Sequence, residues 1–382
     1  MPAGDVTPAE GRRFRDHETH VEIRQLTHYR AHSHHLYFTN GGLWDGGRRL
    51  LIGSDRGNAA NFYSVDLESG ELTQLTDLPP ERAPRTLGAF VNPARDEACF
   101  IAGRDLVALD LRTRDLRTLW TCPDGYRDGN LSITADGRTV CHAVGQDLSD
   151  RLHLDLGHGY VGFAEYHAAR PHCQIVATDV DGGGSRVAHE DQLWLGHVNT
   201  SPALPNVLTF CHEGPWRNVD QRMWTLDIAA GEARPLRRQA PKETIGHEYW
   251  FADGERLGYH GTRADGVHLF GHVRHDDTGR EEFDFPHGSF HFHSMDEGLI
   301  VGDSHRETPH LLLWKLIAGR YEGPRRLLTH RGSWHVQLIH VHPRMFAGAD
   351  GAVRICYTAD PQGYGNVYLA DVPEFESLPA LD

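Results

Sequence analysis

A chain of 382 residues, 39% hydrophobic and 24% charged, can bury a sizeable core, and its length fits two or three ordinary domains or one large all-β domain. The formal charge of −15 excludes a general affinity for nucleic acid or anionic membranes, so an anionic substrate has to be attracted locally. Cys99, Cys122, Cys141, Cys173, Cys211 and Cys356 lack C-x-x-C spacing and read as reduced structural thiols. Residues 1–19 are polar with no signal-peptide core, no apolar run reaches bilayer length, and the expected location is cytoplasmic. Histidine is the outlier, at 28 residues.

Along the chain one phrase recurs: a short strand, a tight polar turn, and an alternating strand ending near an aromatic residue and an Asp. Trp44-Asp45-Gly46 leads into Leu50-Leu51-Ile52, and Asn92-Pro93-Ala94-Arg95-Asp96 into Ala98-Cys99-Phe100-Ile101. The turn returns at Ala135-Asp136-Gly137, Ser201-Pro202, Ala252-Asp253-Gly254, Asp296-Glu297-Gly298 and His342-Pro343. Successive turns lie roughly 45 to 50 residues apart, with one gap nearer ~65, which is the period of four-stranded propeller blades. Seven turns predict an all-β, seven-bladed β-propeller: one domain over 1–382, with blades from about 20 to 375 and a short flexible segment at 1–19. The extra length between 147 and 187, with a hairpin marked by Asp181-Gly182-Gly183-Gly184, predicts a loop over one face, and no long helix is expected. Residues 20–26 are expected to complete the last blade and hide an open sheet edge.

The first strand of a propeller blade lines the central channel, so residues just before the turns should gather at one mouth. His34 and His35 precede the first turn, His197 and Asn199 the fourth, His247 and Glu248 the fifth, His291 and His293 the sixth, and Gln337, His340 and His342 the seventh. His340 and His342, one residue apart in an extended segment, point to the same side and make a candidate ligand pair. Gln337 joins them only if the chain bends there. Taken singly, each histidine is equally readable as an ordinary polar residue on a strand face. Three imidazoles and an amide oxygen suit a divalent ion such as manganese better than copper, and lack the thiolates of structural zinc. The fourth unit carries Phe210-Cys211-His212-Glu213-Gly214-Pro215-Trp216 and Asp220-Gln221-Arg222-Met223-Trp224. Arg222 among these aromatics fits bidentate capture of a carboxylate and, as readily, a structural ion pair with Asp220 or Glu213.

These segments, together with Ser33-His34-His35-Leu36-Tyr37-Phe38-Thr39-Asn40, Gly196-His197-Val198, His247-Glu248-Tyr249-Trp250 and the Q-x-x-H-x-H of 337–342, resemble the oligogalacturonate lyases, family 22 of the polysaccharide lyases. The resemblance keeps their order and runs from about His28 to Val372. It implies a seven-bladed propeller of the bacterial cytoplasm that cleaves short pectin fragments by β-elimination with a bound manganese ion. It further implies that His291, Gln337, His340 and His342 hold the metal, that His247 is the base and that Arg222 assists at the substrate carboxylate. The remaining inward positions, His34, His35, His197 and Asn199, and the neighbouring His212 are candidate substrate contacts. The chain departs from the family pattern at Asn199-Thr200, where a Gln and an aromatic are usual, and across Phe292-His293-Ser294-Met295.

That chemistry is coherent with the residue types. β-Elimination from a 4-linked uronate removes the proton beside the carboxylate, and a divalent ion with an Arg can neutralise the developing enediolate. A neutral histidine is a suitable base because its ordinary pKa lies close to working pH. The alternative is a non-catalytic propeller that binds uronate oligosaccharides or acts as a scaffold. A propeller-plus-hydrolase serine enzyme is disfavoured, since no G-x-S-x-G elbow occurs.

Overall fold

Alternating apolar and polar residues between Gly- and Asp-bearing turns give half-buried antiparallel strands, and such strands dominate the computed structural model, which describes residues 2–285 and 287–381. The one α-helix among the described residues, Phe163–Ala168, has six residues. The strands form seven antiparallel sheets, the seven-bladed β-propeller class that the repeat predicts. No helix among the described residues is long and apolar enough to cross a membrane.

The chain divides into two compact units. The first, Met1–Leu87 with Leu111–Arg114 and His287–Asp382, carries three sheets. In its last sheet, Arg344–Ala347, Val353–Ala359 and Asn366–Asp371 are extended by the N-terminal strand Glu22–Gln25, with Ile23 opposite Ala370 and Gln25 opposite Tyr368. This is the completion expected of residues 20–26. The segment before it is not a loose tail. Arg12–Arg15 pairs with Glu22–Gln25, and Val6–Thr7 adds an edge strand against Leu72–Gln74 of the first sheet. Side chains of neighbouring blades interleave within the unit: Ile52, Tyr63 and Val65 share one apolar cluster with Val367 and Leu369.

The second unit, Gly88–Asp110 with Asp115–Pro286, carries four four-stranded sheets whose hairpins use the expected turns. The insertion lies here, between strands Thr139–Gln146 and Cys173–Asp179, and the hairpin to Ser185–Asp191 follows it. One turn differs from the expectation of His342-Pro343. The seventh blade turns at residues 348–352, where Gly351 adopts φ 76° and its N–H meets the Gly348 carbonyl at 2.9 Å. His342-Pro343 precede the blade's first strand instead.

All six cysteines are free and buried, as expected of structural thiols. Buried imidazoles are part of the same cores. Burial pushes His34 and His330 down to about 4 and His142 to about 3, so all three fold in the neutral form. The unfolded chain binds protons at these positions below its ordinary value near 6.5, and the folded chain does not until about 4, or about 3 at His142. Stability should therefore be fully present above pH ~6.5 and fall as pH drops toward ~4, each unit of depression costing about 1.4 kcal/mol. A lower thermal midpoint at pH 5 than at pH 7 is the expected result, and an unchanged midpoint would contradict it.

Candidate active site

In the first unit, the bend predicted at Gln337 is present as a turn of 3-10 helix, Gln337–Ile339, after which His340 is extended (φ −60°, ψ 150°) and His342 turns left-handed (φ 44°). The H-x-H is therefore not in a regular strand. Its two rings nevertheless converge, with centroids 5.5 Å apart, and His291 joins them from the sixth blade, 4.4 Å from His342. One ligand atom from each of His291, His340 and His342 lies within 4.8 Å of the others. Phe38, Tyr37 and Trp334 pack around the cluster: Tyr37 meets the His342 ring edge-on at 4.8 Å, and Trp334 meets His340 at 5.1 Å. Burial first, and His291 second, lower the His340 pKa to about 4, so one ring nitrogen keeps its lone pair at neutral pH. Its Nδ1 is buried and has no hydrogen-bond partner. Three converging imidazoles, one with a bare buried nitrogen, form a donor set that fits a divalent cation of intermediate character. Gln337 is half-buried in the adjoining turn.

In the second unit, His247 and His197 occupy equivalent places. Each follows a glycine in the first strand of its blade, at a β-bulge that breaks the ladder between Gly246 and Tyr249 or between Gly196 and Asn199. Both adopt positive φ, 50° and 47°. A bulge leaves a residue out of the pleat and re-aims its side chain, so strand periodicity does not fix the direction of either ring. Gly246 is required by a close approach: a Cβ there would lie 2.2 Å from the Trp216 ring. Trp216 in turn packs 5.2 Å from His247 and 5.6 Å from the Arg222 guanidinium.

Arg222 is 1% exposed and donates from Nη1 to Glu213 at 3.0 Å and from Nε to Glu248 at 3.4 Å. The ion-pair reading left open for Arg222 holds for Glu213 and, among the described residues, not for Asp220. Burial works against the Glu213 carboxylate, but Arg222 and the His197 ring 3.2 Å away outweigh it and hold its pKa well below the usual range. Burial likewise opposes the Arg222 charge, yet Cys211, Glu213 and Glu248 keep its pKa well above the ordinary value.

The remaining candidates differ in how their side chains are engaged. His34 donates from Nδ1 to the His35 carbonyl and meets Thr86 through Nε2, both at 2.9 Å. His35 meets Thr358 through Nδ1 and the His342 carbonyl through Nε2, both at 2.7 Å. Both ring nitrogens of each are thus engaged internally, unlike the substrate contacts the sequence leads one to expect. His293 Nδ1 accepts the Met345 N–H at 3.2 Å. His212 sits 3.5 Å from Asp191 and 4.8 Å from the Trp224 ring, and burial lowers its pKa to about 4. The Asn199 carbonyl accepts Trp250 Nε1 at 2.9 Å, while its buried Nδ2 has no partner. The sequence reading missed Asp303, whose buried carboxylate binds His291 Nδ1 at 2.6 Å. It lies 12 residues beyond that histidine, across a hairpin, and no local spacing marks it.

Fold and site define a class: a β-propeller with three converging imidazoles in one unit and a histidine–arginine–carboxylate cluster in the other. The family model described as oligogalacturonate lyase matches residues 1–376, and the chain belongs to that family. It is similar to an oligogalacturonide lyase of Pectobacterium atrosepticum, at 26% identity over 98% of this chain and 99% of the relative. Among solved structures it is similar to an oligogalacturonate lyase in complex with manganese (TM-score 0.87, 26% identity, 98% of this chain and 99% of that one). An oligogalacturonate lyase from Vibrio parahaemolyticus gives a TM-score of 0.86 at 27% identity, over 97% and 99% of the two chains.

Proposed function

We propose that this protein cleaves oligogalacturonates by β-elimination to 4,5-unsaturated products, using a divalent ion, Mn²⁺ in the first instance. The observation that carries this reading is the convergence of His291, His340 and His342 within 4.8 Å in a chain matched by the lyase family over 1–376. These three side chains, with Gln337 as a fourth donor, would hold the ion, which when bound supplies Lewis-acid stabilisation of the developing enediolate. His247, freed from the pleat by its bulge, takes the proton beside the carboxylate. Arg222 is held rigid by Glu213 and Glu248, so that Nη2 can meet the substrate carboxylate without reorganising. His197, fixed by Glu213, and Asn199, with its unpaired amide, are the proposed substrate contacts that survive from the inward positions. His212, on its Asp191 contact, is the third. The cytoplasm is the proposed compartment, supported by six free buried thiols. We read residues 1–382 as a single propeller domain.

Digalacturonate incubated with the protein and Mn²⁺ should gain the ultraviolet absorbance of an unsaturated uronate, and chelation should abolish the gain. Binding of uronate oligomers without product would favour the non-catalytic alternative and remove the lyase reading.

A further inference from the structure

Resting on the cation reading above, we propose that Asp303 and His35 are positioning residues: Asp303 sets the tautomer and aim of the His291 ring, and His35 fixes the backbone from which His342 is aimed. Asp303 is fully buried. Its Oδ2 accepts His291 Nδ1 at 2.6 Å, and its Oδ1 accepts the His291 backbone N–H at 2.8 Å and Ser289 Oγ at 2.9 Å. A carboxylate can only accept from these donors, so the His291 proton resides on Nδ1 and the lone pair is on Nε2. The same carboxylate grips ring and backbone together, which fixes the ring's direction as well as its tautomer.

His35 acts on the other side of the cluster. The segment carrying His340 and His342 lies outside any sheet ladder, and His342 has the left-handed φ of 44°. A carbonyl accepts only, so His35 Nε2 donates to the His342 carbonyl, and Nδ1 accepts from Thr358 Oγ1, both at 2.7 Å. Thr358 also donates its backbone N–H to the Val341 carbonyl at 3.1 Å. The two residues thus tie the bent segment to the last blade through its carbonyls.

The test is Mn²⁺ affinity, read from the free-ion paramagnetic resonance signal in a titration without substrate. Asp303→Asn replaces an acceptor with an amide that drives the His291 proton toward Nε2, and affinity should fall roughly 10–100-fold. His35→Ala should fall in the same direction, and His35→Gln, whose amide N–H can still donate to the His342 carbonyl, should recover much of the loss. Nitrogen NMR of the metal-free wild type should show His291 protonated on Nδ1, a readout that stands even where a variant fails to fold. Wild-type affinity in Asp303→Asn or in His35→Ala, or an Nε2-protonated His291, would overturn the proposal, as would a wild type that binds no Mn²⁺. A wild type that binds Mn²⁺ but yields no unsaturated product sinks the lyase reading alone and leaves this proposal standing.

Discussion

His342→Ala should leave the purified protein with little bound Mn²⁺ and, with it, little lyase activity. The side chain is fully buried, stands 4.4 Å from His291 and 5.5 Å from His340 by ring centroid, and is walled by Tyr37. Removing it deletes a direct donor, so the affinity loss should exceed the roughly 10–100-fold that follows from losing a supporting contact. The backbone there is held through the His342 carbonyl, which alanine retains, so the fold should survive. Metal content of protein dialysed against excess Mn²⁺ is the direct measurement, alongside a thermal melt. A variant with wild-type metal content would show that the ion, if bound, is held elsewhere.

The cluster was legible because its parts share a register. His291 stands before the sixth turn and His340 and His342 before the seventh blade's first strand, and in a repeat protein equal register means equal place. Gln337 announced its own bend, since a regular strand would have turned it away from the pair. What stayed hidden follows from two kinds of physics. The first is the choice between equivalent turns: His342-Pro343 looked like the seventh hairpin because a Pro follows a polar residue, whereas Asp350-Gly351 makes it. The second is hydrogen bonding between residues distant in sequence. The adjacent pair His34-His35 stood out as unusual, but nothing in their spacing says that Thr86, Thr358 and the His342 carbonyl, 307 residues away from His35, absorb their ring nitrogens. Segment 1–19 read as loose because its apolar content is low; its strands are held by backbone pairing with Glu22–Gln25 and Leu72–Gln74, which low hydrophobicity does not forbid.

The base prediction turns on a feature that strand periodicity cannot express. In an unbroken ladder His247 would alternate with Gly246 and Glu248, and Glu248, which holds Arg222, would face the opposite side of the sheet. The bulge between Gly246 and Tyr249, with His247 at φ 50°, releases the ring from that alternation. Glycine at 246 leaves room for Trp216 to pack against the ring at 5.2 Å. His247→Ala keeps the bulge, the Trp216 packing surface and the Arg222 ion pairs, and removes only the imidazole. Turnover of digalacturonate should therefore fall by about 10²–10⁴-fold, the usual contribution of a positioned general base, with the loss in kcat. Mn²⁺ content should be unchanged, because His247, in the strand Thr244–Trp250, is not among the three converging imidazoles His291, His340 and His342. Comparing single-turnover rates and metal content of the two proteins separates this outcome from the His342→Ala one. Retained turnover would move the base to another residue, and a parallel loss of metal would recast His247 as structural.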